Sequence, residues 1–187
     1  MTGRLSRRPL TVLLVALALL SAGCIGSSGD PTATPTPSPT HATASQTPTP
    51  VHPTYAQTTV TVVDDETGEE RGRVTAAIAD NTSLRYTGLS ETDELPADRG
   101  MLFVYEEPQA SLTYVMRNMS FDLDVVFVRA NGTVQSIHHL PAPEPGEDGE
   151  SIRASGRGQY VLEVDRGWTG DRGVEAGDRL AFELPGE

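Results

Sequence analysis

The 187-residue chain has no lysine, one cysteine and an aromatic content of 5%. All fourteen basic residues are arginine; against 26 acidic residues they leave a formal net charge of −12. Binding driven by the nucleic-acid backbone needs basic side chains to neutralise phosphates, so this deficit excludes that class of function. A lone Cys24 excludes a disulfide framework and a cysteine zinc site. No G-x-S-x-G, H-E-x-x-H, P-loop or Rossmann glycine pattern occurs. No apolar run reaches the roughly 18 residues that a membrane-spanning helix requires. The length allows one domain plus appendages.

The charge that is present is unevenly placed. Residues 1–24 carry Arg4, Arg7 and Arg8 without an acid, and residues 25–58 carry only Asp30. Residues 59–187 therefore hold 25 acids against 11 arginines, a net of −14. A small domain with this balance repels itself until salt shortens the Debye length, from about 10 Å at 0.1 M to about 3 Å at 1 M. Abundant acid without lysine resembles the surface of proteins from extreme halophiles.

Three regimes follow along the chain. Residues 1–23 read as a signal peptide: an arginine-bearing start, then an uncharged, mostly apolar run from Leu10 to Gly23. It ends at Ser21-Ala22-Gly23-Cys24, which resembles a lipobox and makes Cys24 the expected lipidation site. Ser6-Arg7-Arg8-Pro9-Leu10 is similar to a twin-arginine export signal. Residues 24–58 read as a disordered linker, with seven Pro and nine Thr in residues 31–58 and no Gly, acid or arginine there. Such a stretch buries too little apolar surface to offset its ordering entropy. The expected product is a lipoprotein on the extracytoplasmic face of a membrane, with the lipid on Cys24 as its membrane contact.

Residues 59–187 read as globular and mainly β. Runs rich in Val, Leu, Phe and Tyr at 59–63, 74–79, 101–105, 111–116, 123–129, 133–140, 160–164 and 178–184 are separated by Gly, Pro, Asn and Asp clusters. The expectation is a compact antiparallel β-sandwich or barrel of about eight short strands. One short helix is expected after Asn81, with Gly88 as its stop. In Tyr160-Val161-Leu162-Glu163-Val164-Asp165 alternation puts Tyr160, Leu162 and Val164 on one face.

Asn131-Gly132 is a strong type I′ hairpin signal. A two-residue loop there would oppose Val126 to Ile137, Val125 to His138 and Asp124 to His139. That pairing is close enough for a carboxylate to orient an imidazole. A three-residue loop would shift the pairing by one. A structural pair that fixes the hairpin is the simpler reading, and a catalytic dyad the sharper one. His138 and His139 point to opposite faces and cannot share a metal, and the acidic loop at 144–150 lacks calcium-loop spacing. No metal site or cofactor is therefore expected. N-x-[ST] acceptors at Asn81, Asn118 and Asn131 are candidate glycosylation sites in an exported protein.

Six ordered blocks carry a resemblance: Arg85-Tyr86-Thr87-Gly88-Leu89, Gly100-Met101-Leu102-Phe103-Val104, Met116-Arg117-Asn118, Leu123-Asp124-Val125-Val126-Phe127-Val128, Asn131-Gly132-Thr133-Val134 and Tyr160-Val161-Leu162-Glu163-Val164. Together they resemble domain of unknown function family 192, from about Val74 to Leu184. The resemblance implies a compact, mostly β domain, frequently exported, and supplies no activity. Tyr114-Val115 stands where the family commonly has Phe-Trp, and Asp122 where it has Pro. Ser90 and Thr92 replace its usual Met and Arg.

Three functions remain open. The first is a non-catalytic, tethered binding or accessory module that takes a small-molecule or envelope ligand, with Arg85, Arg117, Asn118, Asp124 and His139 as its ligand patch. The second is a structural cell-envelope glycoprotein. The third is an extracytoplasmic hydrolase using Asp124 and His139 for acid–base work, for which no nucleophile is evident. The anchor has a direct test: Cys24→Ser is expected to leave the precursor unprocessed or to release protein into the medium, read by fractionation and immunoblot. Normal membrane retention of that variant contradicts lipidation.

Overall fold

A computed structural model describes residues 51–186. The expected signal peptide, the expected lipidation site Cys24 and the expected linker up to residue 50 lie outside the described residues. The chain joins the domain slightly before residue 59: β1 (Gln57–Val63) begins at Gln57, and Val51 and Tyr55 already pack on the core. There follow β2 (Glu70–Ala79), α1 (Thr82–Thr87), β3 (Arg99–Val115), β4 (Leu123–Val128), β5 (Val134–Leu140), β6 (Arg153–Asp165), α2 (Trp168–Asp171) and β7 (Arg179–Ala181).

The strands form one curled, half-barrel sheet in the order β5-β4-β6-β3-β2-β1-β7. One apolar cluster lies on each face. Val60, Val62, Val74, Leu102, Val126, Leu162, Val164 and Trp168 belong to the first. Leu89, Met101, Phe103, Met116, Val125, Phe127 and Val161 belong to the second. β4 is buried at every residue, as a strand covered on both sides must be.

The mainly β expectation holds, with three differences. The sheet is not purely antiparallel, because β2 and β3 pair in parallel from Thr75↔Arg99 to Ala79↔Phe103. A parallel pair needs a long crossover, which residues 80–98 supply, α1 included. The strands number seven because the expected runs at 101–105 and 111–116 are halves of β3. Its pairing with β6 shifts register between Val104 and Leu112, where Pro108 is exposed. The second helix, α2, was not legible; its Trp168 is buried and donates from Nε1 to Asp98 at 2.9 Å.

The β4–β5 hairpin departs from the expected turn. Its loop has three residues, Ala130-Asn131-Gly132, with Arg129 N donating to Thr133 O at 2.9 Å. Gly132 has φ +85°, whereas Asn131 is not among the described residues with positive φ, so the turn is not type I′. A bulge between Phe127 and Val128 then absorbs the extra residue. The anticipated pairs Val126↔Ile137, Val125↔His138 and Asp124↔His139 are thereby restored.

The hairpin also meets β7. Leu180 N donates to Gly132 O and Val134 N to Asp178 O, both at 2.8 Å, and Thr133 bridges Arg179. The start of β5 and the start of β7 are thus joined at one end of the sheet. A Cβ on Gly132 would lie 2.6 Å from Leu180 O. Gly132→Ala is therefore expected to destabilise by more than Gly68→Ala, which has a similar φ of +75° and no neighbour within 4 Å. Left-handed strain of about 1–2 kcal/mol is common to both. Equal losses in denaturant unfolding would contradict that junction.

Candidate functional site

Alternation along β6 places Val161 and Glu163 on one face, Leu162 and Val164 on the other. Glu163 pairs with Met101 of β3 on one side and Val125 of β4 on the other, so it sits mid-sheet. Its exposure is 6%, and no hydrogen bond or ion pair reaches its carboxyl among the described residues. Burial alone pushes it up to about 8.

Glu163 lines a cavity of about 220 Å³. The α1 segment covers one side with Arg85, Tyr86 and Gly88; β3 supplies Phe103, Tyr105 and Tyr114; Arg117 follows from the turn after β3. Asn81 caps α1 by accepting from Ser83 N and Leu84 N, both at 3.1 Å. Gly88 ends the helix at φ +52°, as expected. Its carbonyl lies 3.1 Å from His52 Nε2, which ties the N-terminal stretch to the cavity rim.

The arginines are held in place. Arg85 Nη1 donates to Asp80 O at 2.7 Å and Val104 O at 2.8 Å, and its guanidinium lies 4.7 Å from the Tyr105 ring centroid. Arg117 packs 4.4 Å over Tyr86 and bonds Glu150 Oε1 and Tyr86 O, each at 3.2 Å. Tyr105 and Tyr114 share a hydroxyl contact of 3.0 Å. Burial, the neighbouring Tyr105 hydroxyl and the Glu163 carboxyl raise the Tyr114 phenol, so it stays protonated.

Asp124 occupies the opposite face, beside Val126 and Val164 in register, and is completely buried. Its Oδ1 meets His139 Nδ1 at 2.5 Å. Its Oδ2 accepts from Thr169 Oγ1 at 2.6 Å, Thr169 N at 3.0 Å and Gly167 N at 3.2 Å. Burial acts to raise this carboxyl, but the hydrogen bonds from Thr169, His139 and Gly167 prevail and hold it below the ordinary aspartate value. The four donors join β4, β5 and the α2 turn.

The expected patch is thus divided by the sheet. Arg85 and Arg117 meet at the cavity; Asp124 and His139 meet on the other face, with the His139 side chain 47% exposed. Asn118 is exposed at φ +56° in the turn beside Arg117 and does not line the cavity. Asn81 and Asn131 are exposed, the latter in the hairpin loop. Among the described residues no three His, Cys, Asp or Glu side chains gather as a metal site, and no helix is long and apolar enough to cross a membrane. Glu163, Tyr105 and Tyr114 were missed as site residues. The apolar run of β4 was the signal that its neighbour β6 is covered on both faces.

The two carboxyls predict opposite pH responses. Glu163 holds a proton in the folded state up to about 8 and loses it near 4.5 when exposed, so its contribution to stability falls as pH rises across that window. Glu163→Gln is expected to flatten this decline in unfolding midpoints. Asp124 has a lowered folded value, so its contribution is present above about pH 4 and is lost as pH falls through the folded value. Asp124→Ala leaves three α2-side donors without an acceptor, and a loss of at least about 2 kcal/mol is expected by denaturant unfolding. A loss under about 0.5 kcal/mol would contradict its anchoring role.

Two solved structures are similar to this domain. One, a candidate transcription regulator from Sinorhizobium meliloti 1021, has a TM-score of 0.60 at 28% identity and covers 68% of this chain and 95% of its own. The other, a protein of unknown function from Novosphingobium aromaticivorans DSM 12444, has a TM-score of 0.57 at 28% identity, covering 70% and 90%. No curated protein matches. The described family model, an uncharacterized ACR, matches residues 62–182. Those residues run from the end of β1 through β7 with both faces of the sheet, and by that match the chain belongs to the DUF192 family.

Proposed function

We propose that this protein is a lipid-anchored, extracytoplasmic binding module whose ligand site is the cavity over Glu163. The observation that carries this reading is a carboxyl only 6% exposed, with no hydrogen bond from the described residues, that lines the cavity, where a ligand can supply its partner. Lipid attachment at Cys24 and a Pro/Thr-rich tether up to residue 50 would account for the chain ahead of the domain and would hold the domain outside the membrane. Glycans at Asn81, Asn118 or Asn131 would extend from the exposed side chains at those positions.

Binding is favoured over hydrolysis because every hydrogen bond made by Asp124 goes to scaffold or to His139. No Ser, Thr or Cys is hydrogen-bonded to His139 as a nucleophile would be, among the described residues. The regulatory role named for the Sinorhizobium protein draws no support from a region of net charge −14. A purely structural envelope role leaves Glu163 without a purpose.

The test is a thermal-shift screen of the full-length protein in high salt against chemically diverse small molecules, with Thr87→Trp as the blocked control because Thr87 lines the cavity. Ligands that raise the wild-type midpoint but not that of the variant support the reading. A screen without any such ligand overturns it.

A further inference from the structure

Resting on that reading of the cavity, we infer that its ligand is a small organic carboxylate, held by Arg85 and Arg117 at its charged end and by Glu163 and the tyrosine pair at its other end. The cavity holds about seven groups at roughly 30 Å³ each, the size of a short hydroxy acid.

The lining decides the sign of the ligand. Two guanidiniums face this space and Glu163 is its one carboxyl. Arg85 spends only Nη1 on Asp80 O and Val104 O, leaving Nε and Nη2 without a partner among the described residues. Arg117 spends Nη1 and Nη2 on Glu150 and Tyr86 O, leaving Nε. Planar guanidinium edges suit a carboxylate. An amine would instead approach two fixed cations.

The floor supplies donors. In the Tyr105–Tyr114 pair one hydroxyl donates to the other, so one phenolic hydrogen remains for a ligand. Below its titration point the Glu163 carboxyl adds an O–H donor and a carbonyl acceptor, which together match a hydroxyl group. The groups around Glu163 are Tyr105 and Tyr114 on β3, Arg85 and Tyr86 on α1, and Arg117 beyond β3; β4 presents only the apolar Leu123, Val125 and Phe127 on this face. His138 on β5 is in register with Val125 and stacks edge-on to Phe127, one strand further away. The strongly acidic remainder of the domain repels anions at long range. High salt removes that field while leaving contact-distance pairs.

Calorimetry on the full-length protein with L-lactate, lactamide and ethanolamine as probes tests the inference. Lactate is expected to bind at least about tenfold more tightly than the neutral amide, about 1.4 kcal/mol, and ethanolamine not at all. Arg85→Met is expected to weaken lactate about tenfold or more. Where that variant does not fold, Arg117→Met gives the same reading from a different segment. Wild-type affinity is expected to fall as pH rises past about 8, where Glu163 ionises, and Glu163→Gln, which keeps a donor and an acceptor, to remove that fall. Preference for ethanolamine, or lactate affinity indifferent to both arginines, overturns the inference. Thr87→Trp-sensitive ligands that are cations would sink the carboxylate while leaving the binding module standing; the absence of any sensitive ligand sinks both.

Discussion

A sheet covered on both faces has no solvent side, and that constraint governs the chemistry of this domain. β4 and the C-terminal half of β6 lie mid-sheet, between apolar clusters on either side. An ionisable residue in the interior of these strands is taken out of water whichever way it points. The fold contains two such carboxyls close together in register, Asp124 beside Val164 and Glu163 beside Val125. They meet the same constraint in opposite ways.

Asp124 is surrounded by donors. Thr169 and Gly167 at the start of α2, together with His139 from β5, compensate its lost hydration and keep it ionised. It acts as a polar tie among three segments that also share the apolar cluster of Val126, Val134 and Trp168. Glu163 has no such shell and remains protonated well above the ordinary carboxyl range. The space it faces is lined by aromatic rings and two immobilised arginines. One carboxyl is consumed by the scaffold and the other is left over, and only the second is free to meet a ligand.

Much of this was written in local sequence. The short apolar runs announced strands, Asn81 and Gly88 bounded α1, and counting outward from Asn131-Gly132 gave the Asp124↔His139 pairing. That pairing survived a wrong turn type because the three-residue loop and the Phe127/Val128 bulge cancel. Local pattern could not show that β2 and β3 run parallel, since the 80–98 crossover is defined by where it returns. Nor did it single out Glu163. Strict alternation sends that residue to solvent, and only the tertiary covering by α1 and the β3 tyrosines turns its face inward. Arg85 and Arg117 stood out in the sequence and line one cavity, but their separation from Asp124 and His139 depends on which face of the sheet each occupies.

The Asn81 cap of α1 and the bonds from Arg85 to Asp80 O and Val104 O hold one wall of the cavity in a fixed position. Pre-organised walls let a small pocket discriminate by charge without reorganising. The central claim is that Glu163 lines this cavity as an uncharged acid at neutral pH. Carboxyl carbon NMR of the side chain, titrated in the full-length protein and assigned with Glu163→Gln, measures this directly. The account predicts a midpoint near 8; a midpoint near the ordinary glutamate value of about 4.3 would contradict it.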